Sequence, residues 1–276
     1  MKFKLSEIPK YLINIFLAFW LFFTIFMFSW IIMSSFKTTR EIYTGVWTLP
    51  ASFELTNYIN VLTEFGLLRS MFNSLIIVST STLLVLVLST PIAYVLSKLK
   101  FRLSNLITFS FVIGIGIPIQ TIFIPLYLLM NNLKLTDSIL GLIWVYTVTS
   151  IPFTVYLLIN FFNTIPSSLE EAARIDGATA FQSFIKIMLP LARSGLISAG
   201  IFVFVMLWKE FILALVFIGT ESKQPISLGL YSLITKLTYT GDWGGLFAGV
   251  VLVIIPSVIF YSILARKFIA GLTMGI

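Results

Sequence analysis

Six long apolar stretches dominate the pattern of hydrophobic and polar positions along the chain. A helix that crosses a membrane needs about 20 mostly apolar residues, and each stretch reaches or exceeds that length. The pattern therefore predicts an all-α integral membrane protein with a single transmembrane domain over residues 1–276. The six predicted transmembrane helices cover approximately residues 11–36, 70–97, 103–130, 139–162, 195–219 and 244–265.

The third stretch is interrupted by Gly114, Gly116, Pro118 and Pro125. Proline removes a backbone donor and kinks a helix, so this stretch is predicted to be a bent helix. Two interpretations stay open. A bent helix suits a gate that must move, but Gly and Pro are also frequent in transmembrane helices that are merely well packed.

The composition separates this chain from soluble proteins. Hydrophobic residues make up 58% of the chain and charged residues 11%, whereas soluble domains carry about 25% charged residues. The sequence contains no Cys and no His, which excludes thiol nucleophiles, His-based catalytic triads and Cys/His metal sites. It also lacks the G-x-x-x-x-G-K-[ST] motif that cradles nucleotide phosphates. We therefore expect no catalytic residue, no metal and no cofactor in this chain.

The distribution of Lys and Arg predicts the orientation. With the N-terminus in the cytoplasm, the inner segments hold more Lys and Arg than the outer segments, as the positive-inside rule requires. Lys98, Lys100 and Arg102 in the short turn after the second predicted helix contribute most locally. We therefore predict a multi-pass cell-membrane protein with both termini cytoplasmic. The net charge of +7 is attributed to this topology and not to a nucleic-acid partner.

The only long inner segment, residues 163–194, is predicted to form a cytoplasmic helix–turn–helix. Ser168 and Glu171 have the spacing of a capping box, which predicts a helix that starts at Leu169. Gly177 fits the left-handed position just past a helix end. The first helix would be only about two turns long and marginal alone in water, so it should need a partner surface.

The second inner helix is predicted from another capping box, formed by Thr179 and Gln182. Apolar residues then follow at helical spacing, which predicts one apolar stripe. The stripe consists of Phe181, Phe184, Ile185 and Met188. Pro190 marks the entry to the fifth predicted transmembrane helix.

The inner segment also carries a motif, E-A-A-x₃-G-x₉-I-x-L-P, at fixed spacing. With it, the W-x-E-F-x-x-A-L run at 208–215 and the F-I-A-G-L-T run at 268–273 resemble the permease subunits of binding-protein-dependent ABC importers of the maltose type. The motif looks like the EAA loop of those permeases. The resemblance is to the six-span member of the permease pair and extends over about residues 12–273.

The resemblance implies a transmembrane permease subunit for a sugar or oligosaccharide that works by alternating access. It implies a second permease, which shares the translocation path, and two ABC ATPase subunits that hold ATP and Mg. It also implies an extracellular solute-binding protein and membrane lipid around the permeases. The inner segment would be the coupling loop. The residues carried over for ATPase coupling are Glu171, Ala172, Ala173, Asp176, Gly177, Ile187, Leu189 and Pro190. The alternative from the residues alone is an amphipathic helix at the membrane interface.

Lys209 and Glu210 are ionisable residues about fifteen positions into the fifth predicted helix. Such residues are costly inside a membrane and usually face protein or water. They could line a sugar path, together with Trp208 and Gln120, or pair structurally with another span. Adjacent residues on a helix do not face each other, so mutual pairing is not expected.

A second function from a different class is a self-contained carrier coupled to ions or protons. Such a carrier needs intramembrane acids or bases as coupling sites, and only Lys209 and Glu210 qualify. Internal repeats, which many such carriers contain, are not evident in the sequence. An ABC permease therefore remains the leading prediction.

Overall fold

The computed structural model describes residues 8–99 and 101–273, so Lys100 lies outside the described residues. All regular secondary structure in this part of the chain is helical, which confirms the all-α class. The α-helices are α1 (Ile8–Ser34), α2 (Thr39–Thr44), α3 (Thr56–Thr63), α4 (Leu67–Lys98), α5 (Ser104–Gly116), α6 (Phe123–Asn132), α7 (Ile139–Thr164), α8 (Ser168–Ile175), α9 (Ala180–Ser183), α10 (Leu189–Leu191), α11 (Arg193–Trp208), α12 (Ile212–Phe217), α13 (Ile226–Thr240) and α14 (Trp243–Thr273). The side chains of residues 260–273, which include the run at 268–273, are also outside the description.

Among the described residues, three helices are long and apolar enough to cross a membrane: α1 from Tyr11, α4 and α7. Two pairs of helices that are sharply bent at a break raise the number to five if each pair is one span. α14 adds a shorter apolar helix, Trp243–Ile259. Six spans with both termini cytoplasmic therefore stay a prediction.

The third predicted span, 103–130, is not one helix. α5 ends at Gly116, and its axis is bent by 94° from the next helical segment, Ile119–Asn132. Ile117 is extended, with φ −81° and ψ 117°, because Pro118 disfavours helical geometry in the residue before it. A short 3-10 turn, Ile119–Ile122, then leads into α6.

The fifth predicted span, 195–219, is also broken. α11 ends at Trp208, and Lys209 and Glu210 lie outside any helix before α12 begins at Ile212. The carboxylate of Glu210 accepts the N–H groups of Leu213 and Ala214 at 2.8 and 3.2 Å. A side chain that satisfies the first free N–H groups in this way favours the start of a new helix over continuation of the old one.

The described residues up to Leu68, with residues 230–254, form one compact unit. Lys37 is fully buried in it, and its ammonium donates to the carbonyl oxygens of Gly45 and Val46 at 3.0 and 3.2 Å. The indole of Trp30 donates to the same Val46 oxygen. These bonds satisfy a buried charge and hold the segment after α2 against the end of α1.

From Tyr11 onward, apolar side chains cover α1 on all sides, and its most apolar stretch has no residue buried inside the chain. Aromatic rings stack along its surface at helical spacing, as in Phe16–Trp20 and Phe19–Phe23, with ring centroids 6.4 and 6.3 Å apart. A helix that is hydrophobic all round must be covered. Either lipid or another subunit must therefore surround this exposed part of α1.

The second compact unit contains the described residues between 69 and 229 and between 255 and 273. Its core combines α4, α7, the end of the inner segment and α11. The buried side chains of this core are Ala93, Tyr94, Val155, Leu158, Ile159, Phe162, Met188, Ala192 and Ala199. The inner segment is therefore packed directly on two membrane-length helices.

A polar clasp joins two loops within this unit. The carboxylate of Asp137, just before α7, accepts the N–H groups of Gly219 and Thr220, the Thr220 hydroxyl and the Lys223 ammonium. The bond from the Thr220 hydroxyl is the largest cause that lowers the pKa of Asp137 well below its usual range. The carboxylate of Asp137 therefore stays ionised, and the clasp fixes the chain just before α7 to the chain just after α12.

Candidate functional site

α8 is the short helix that carries the E-A-A motif, and it begins one residue earlier than predicted, at Ser168. The predicted capping box of Ser168 with Glu171 does not form. A capping residue needs extended backbone geometry, but Ser167, which occupies that position, has helical angles of φ −65° and ψ −23° and makes no side-chain cap. The tight turn after Pro166 supplies the bonds instead, from Leu169 N to the Pro166 oxygen and from Glu170 N to the Ser167 oxygen.

The end of α8 follows the prediction. Gly177 has φ +80°, which confirms the left-handed position. Its N–H donates to the carbonyl of Arg174 at 3.1 Å, and the N–H of Ala178 donates to the carbonyl of Ala173 at 2.9 Å. These two bonds are the Schellman motif, which ends a helix sharply and satisfies its last carbonyls.

The second inner helix starts as predicted. The Thr179 hydroxyl accepts the N–H of Gln182, and the Gln182 side chain accepts the N–H of Thr179, so the second capping box is confirmed. The helix then widens into a π-helical turn, Phe184–Met188, before α10. Pro190 has no N–H to continue the regular ladder, and the Leu189 N–H reaches back to the Phe184 carbonyl.

The predicted apolar stripe of this helix does not form one buried face. Met188 is fully buried and Phe184 packs against the core. Phe181 and Ile185 are exposed, at 73% and 42%. The π turn changes the rotation of the side chains, so the regular 3–4-residue spacing no longer aligns all four.

The two adjacent acids of α8 lie in opposite environments. Glu171 is exposed, whereas Glu170 is 4% exposed. The Glu170 carboxylate accepts the Arg174 guanidinium at 2.9 Å and the Tyr94 hydroxyl at 3.3 Å. One face of α8 is thus tied to α4, and the other is left open.

The predicted coupling residues divide between these faces. The residues Glu171, Ala172, Asp176, Gly177 and Pro190 are exposed. Ala173 is buried, at 5% exposure, while Ile187 and Leu189 are half-buried. Ile175, which is not part of the sequence motif, is 86% exposed. An apolar side chain so exposed on a short helix is a further candidate for contact with a partner.

A charged cleft of about 360 Å³ opens beside α8. Its lining residues are Lys98, Leu99, Ser167, Glu170, Glu171 and Arg174. The ammonium of Lys98 donates to the carbonyl of Ile165 at 2.6 Å, which joins the end of α4 to the end of α7. The sequence did not indicate the contacts that Tyr94 and Lys98 make with this region. The ion pair of Glu170 with Arg174, in contrast, is signalled by their four-residue spacing on a helix.

Glu210 has a structural environment. Besides the start of α12, its carboxylate accepts the hydroxyl of Tyr146 on α7 at 2.8 Å. Its backbone carbonyl accepts the Ser227 hydroxyl at 2.5 Å. Glu210 is thus bonded to another membrane-length helix, as in the structural alternative to a path role, and Tyr146 is its partner.

The other predicted path residues have different surroundings. Trp208 is buried and stacks on Phe204, with ring centroids 5.8 Å apart. Trp208 and the exposed Lys209 line a small cleft of about 70 Å³ with Phe204, Val205 and Ser257. Gln120 is exposed in the 3-10 turn at the bend between α5 and α6. In residues 8–99 and 101–273, no group of His, Cys, Asp and Glu has the arrangement to hold a metal ion.

Comparison with known proteins agrees with the motif of the inner segment. The sequence pattern of the family described as "binding-protein-dependent transport system inner membrane component" matches residues 86–273. The arabinooligosaccharides transport system permease protein AraQ of Halalkalibacterium halodurans is 33% identical over 279 residues, which cover 100% of this chain and 99% of AraQ. The diacetylchitobiose uptake system permease protein NgcG of Streptomyces coelicolor is 32% identical over 94% of this chain and 86% of its own length.

The fold is also found in a solved structure. A chain of a bacterial ABC transporter involved in the import of the acidic polysaccharide alginate superimposes with a TM-score of 0.85. The sequence identity is 24%, with 97% of this chain and 99% of that chain covered. At this identity the likeness concerns the fold. The match to the family pattern and to AraQ and NgcG confirms the resemblance, and this chain belongs to the family of inner membrane permease components of binding-protein-dependent transport systems.

Proposed function

We propose that this chain is a permease subunit of an ABC importer for a sugar or oligosaccharide, and that α8 couples it to an ATPase subunit. The observation that carries the proposal is the open face of α8. Glu171, Ala172 and Ile175 are exposed there, while Glu170 and Ala173 are buried behind them. Small Ala residues let a helix approach a cleft closely, and Glu171 offers a carboxylate to a basic partner.

The packing behind α8 supports a coupling role over the alternative of an amphipathic helix at the membrane interface. Ala173 is buried, and the following Met188 and Ala192 belong to the same core as α4 and α7. A helix that merely lies on lipid does not need a buried carboxylate or a shared core. A force applied to α8 would act on both membrane-length helices, as alternating access requires.

The substrate class is proposed from the relatives. AraQ and NgcG are described as permeases for arabinooligosaccharides and diacetylchitobiose, which are both short oligosaccharides. We propose Trp208, Lys209 and Gln120 as residues facing the path, because Lys209 and Gln120 are exposed and Trp208 with Lys209 lines a cleft. Glu210 is proposed to hold the wall of the path through Tyr146.

The partners are proposed from the absence of an ATP-binding motif in this sequence and from the exposed apolar surface of α1. Its sequence has no motif for ATP phosphates, so we propose that ATP and Mg bind to two partner ATPase subunits. The uncovered apolar surface of α1 supports a second permease, with lipid, as its cover. We further propose six spans with both termini cytoplasmic, and delivery of sugar by an extracellular solute-binding protein.

The direct test is to tag this chain in its native membrane, solubilise it mildly and identify the proteins that co-purify by mass spectrometry. We expect an ATPase with a G-x-x-x-x-G-K-[ST] motif and a second E-A-A-bearing permease. The variant Glu171→Ala should recover several-fold less ATPase but the same amount of second permease, because it alters only the open face of α8. If the unmodified chain is recovered without any partner, both with and without prior crosslinking, the result would favour a self-contained carrier and contradict the proposal.

A further inference from the structure

The buried acid Glu170 has no role in the proposed contact with the ATPase. Its neighbour Glu171 is exposed and available to a partner, whereas Glu170 is 4% exposed and points into the chain. A buried carboxylate is costly unless it is paired and hydrogen-bonded. Its two partners, Arg174 and Tyr94, therefore indicate what holds α8 in place.

The two partners of Glu170 differ in what they join. Arg174 belongs to α8 itself, one turn later, so its 2.9 Å contact stabilises the helix internally. Tyr94 belongs to α4, and its hydroxyl bridges 76 positions of sequence to reach Glu170 at 3.3 Å. The Tyr94 bond is therefore the polar link from α8 to a membrane-length helix.

The ring of Tyr94 is held firmly. Tyr94 is 3% exposed, and its ring packs against Phe162 of α7 and Phe184 of the π turn, with centroids 5.9 and 5.0 Å apart. A ring fixed from two sides cannot follow α8 if α8 slides along α4. Any such slide would separate the hydroxyl from Glu170.

A second polar bond lies one turn further along α4. Lys98 donates to the carbonyl of Ile165, the residue that ends α7, at 2.6 Å. Ile165 is separated from α8 by only two residues. The ends of α4 and α7 and the start of α8 are thus fixed to one another at two points.

We infer that Glu170 is a positioning residue that latches α8 to α4 through the Tyr94 hydroxyl, so that α8 and α4 move together when the ATPase changes state. The inference rests on the proposed function, since it supposes an ATPase that moves α8. It adds that the two acids of the motif divide the work. Glu171 contacts the ATPase, and Glu170 transmits the movement of α8 to the membrane-length helix α4 through Tyr94.

The latch predicts the behaviour of the distance between α8 and α4 during the ATP cycle. Because the sequence contains no Cys, a single pair of cysteines can be introduced for nitroxide labels. Leu169 on α8 and Val95 on α4 are suitable positions, with 41% and 36% exposure. The measurement is the label-to-label distance by electron paramagnetic resonance in the complete transporter, with and without ATP plus vanadate.

In the otherwise unmodified transporter, we expect the same distance distribution in both states, because the latched helices move as one body. With Tyr94→Phe and Glu170→Gln combined, we expect ATP plus vanadate to shift or broaden the distribution. Phe keeps the ring contacts, and Gln keeps the size of the side chain, so both substitutions preserve the packing. Tyr94→Phe alone should give the same change as the double variant, because it removes the donor of the bond, and Glu170→Gln alone should give a smaller change, because the Gln oxygen can still accept from the Tyr94 hydroxyl.

Glu171→Gln is the matched control on the adjacent residue. It should reduce the amount of ATPase bound but leave the distance between the labels unchanged. A distance that already changes with ATP plus vanadate in the unmodified transporter would overturn the latch. So would a double variant whose distribution stays fixed while the complex remains assembled. Purification of the labelled chain without any ATPase subunit would instead overturn the proposed function, and the two failures are therefore distinguishable.

Discussion

Replacing Gly177 by proline is expected to abolish ATP-driven transport while leaving the chain inserted in the membrane. Gly177 has φ +80°, whereas proline is locked near −65°. Proline also lacks the N–H that Gly177 donates to the carbonyl of Arg174. The Schellman turn that ends α8 therefore cannot form, and the exposed face of α8 loses its orientation. The measurement is ATP-dependent uptake by proteoliposomes that contain the assembled transporter.

Gly177→Ala is the matched control for this substitution. Alanine keeps the N–H, and a Cβ at this position would meet no atom within 4 Å. Its cost is only the strain of a left-handed residue, about 1–2 kcal/mol. We expect reduced but measurable uptake from Gly177→Ala, and Gly177→Asn should be milder still because Asn tolerates this geometry. Normal uptake by Gly177→Pro would show that the turn after α8 is not required.

Replacing Glu210 by alanine is expected to give the largest loss of stability. Its carboxylate accepts hydrogen bonds from the Tyr146 hydroxyl and from the N–H groups of Leu213 and Ala214. These three donors belong to buried residues. Each buried donor left without a partner costs about 1–3 kcal/mol, so we expect a loss of about 3 kcal/mol or more in the free energy of unfolding. Thermal unfolding of the purified chain in detergent measures it.

The adjacent residue Lys209 provides the control for Glu210→Ala. Lys209 is exposed, so Lys209→Ala should change stability little, and Glu210→Gln should fall between the two because Gln keeps one acceptor oxygen. A Glu210→Ala variant that is as stable as Lys209→Ala but defective in uptake would contradict the structural role. Glu210 would then belong to the translocation path itself.

Local sequence rules predicted the features that depend on few neighbouring residues. α1, α4 and α7 follow from length and hydropathy, and the left-handed Gly177 and the Thr179 capping box follow from rules that span three or four residues. The capping box at Ser168 was wrong because Pro166 starts the helical geometry early, so that Ser167 is already helical. Ser167 and Ser168 are adjacent residues of the same type, so the capping rule alone does not decide which of them precedes the helix.

The features that the sequence did not predict depend on partners that are distant along the chain. Pro118 predicts a kink, but its local chemistry does not fix a bend of 94° between α5 and α6, which depends on what packs around it. The break of α11 at Lys209 is stabilised by Glu210, whose partner Tyr146 lies 64 positions away. The same is true of Glu170 and Tyr94. Nothing in the local pattern distinguishes the buried acid from the exposed one.

Crosslinking from Ile175 shows whether the open face of α8 contacts an ATPase. This side chain is 86% exposed, and a photoreactive residue placed there would react only with a neighbour of α8. The matching control position is Tyr239, which is 89% exposed in a segment predicted to lie outside the cell. We expect a P-loop ATPase, identified by mass spectrometry, to be joined to position 175 and not to position 239. Crosslinks from position 175 to lipid alone, in a membrane where the second permease is recovered, would contradict it.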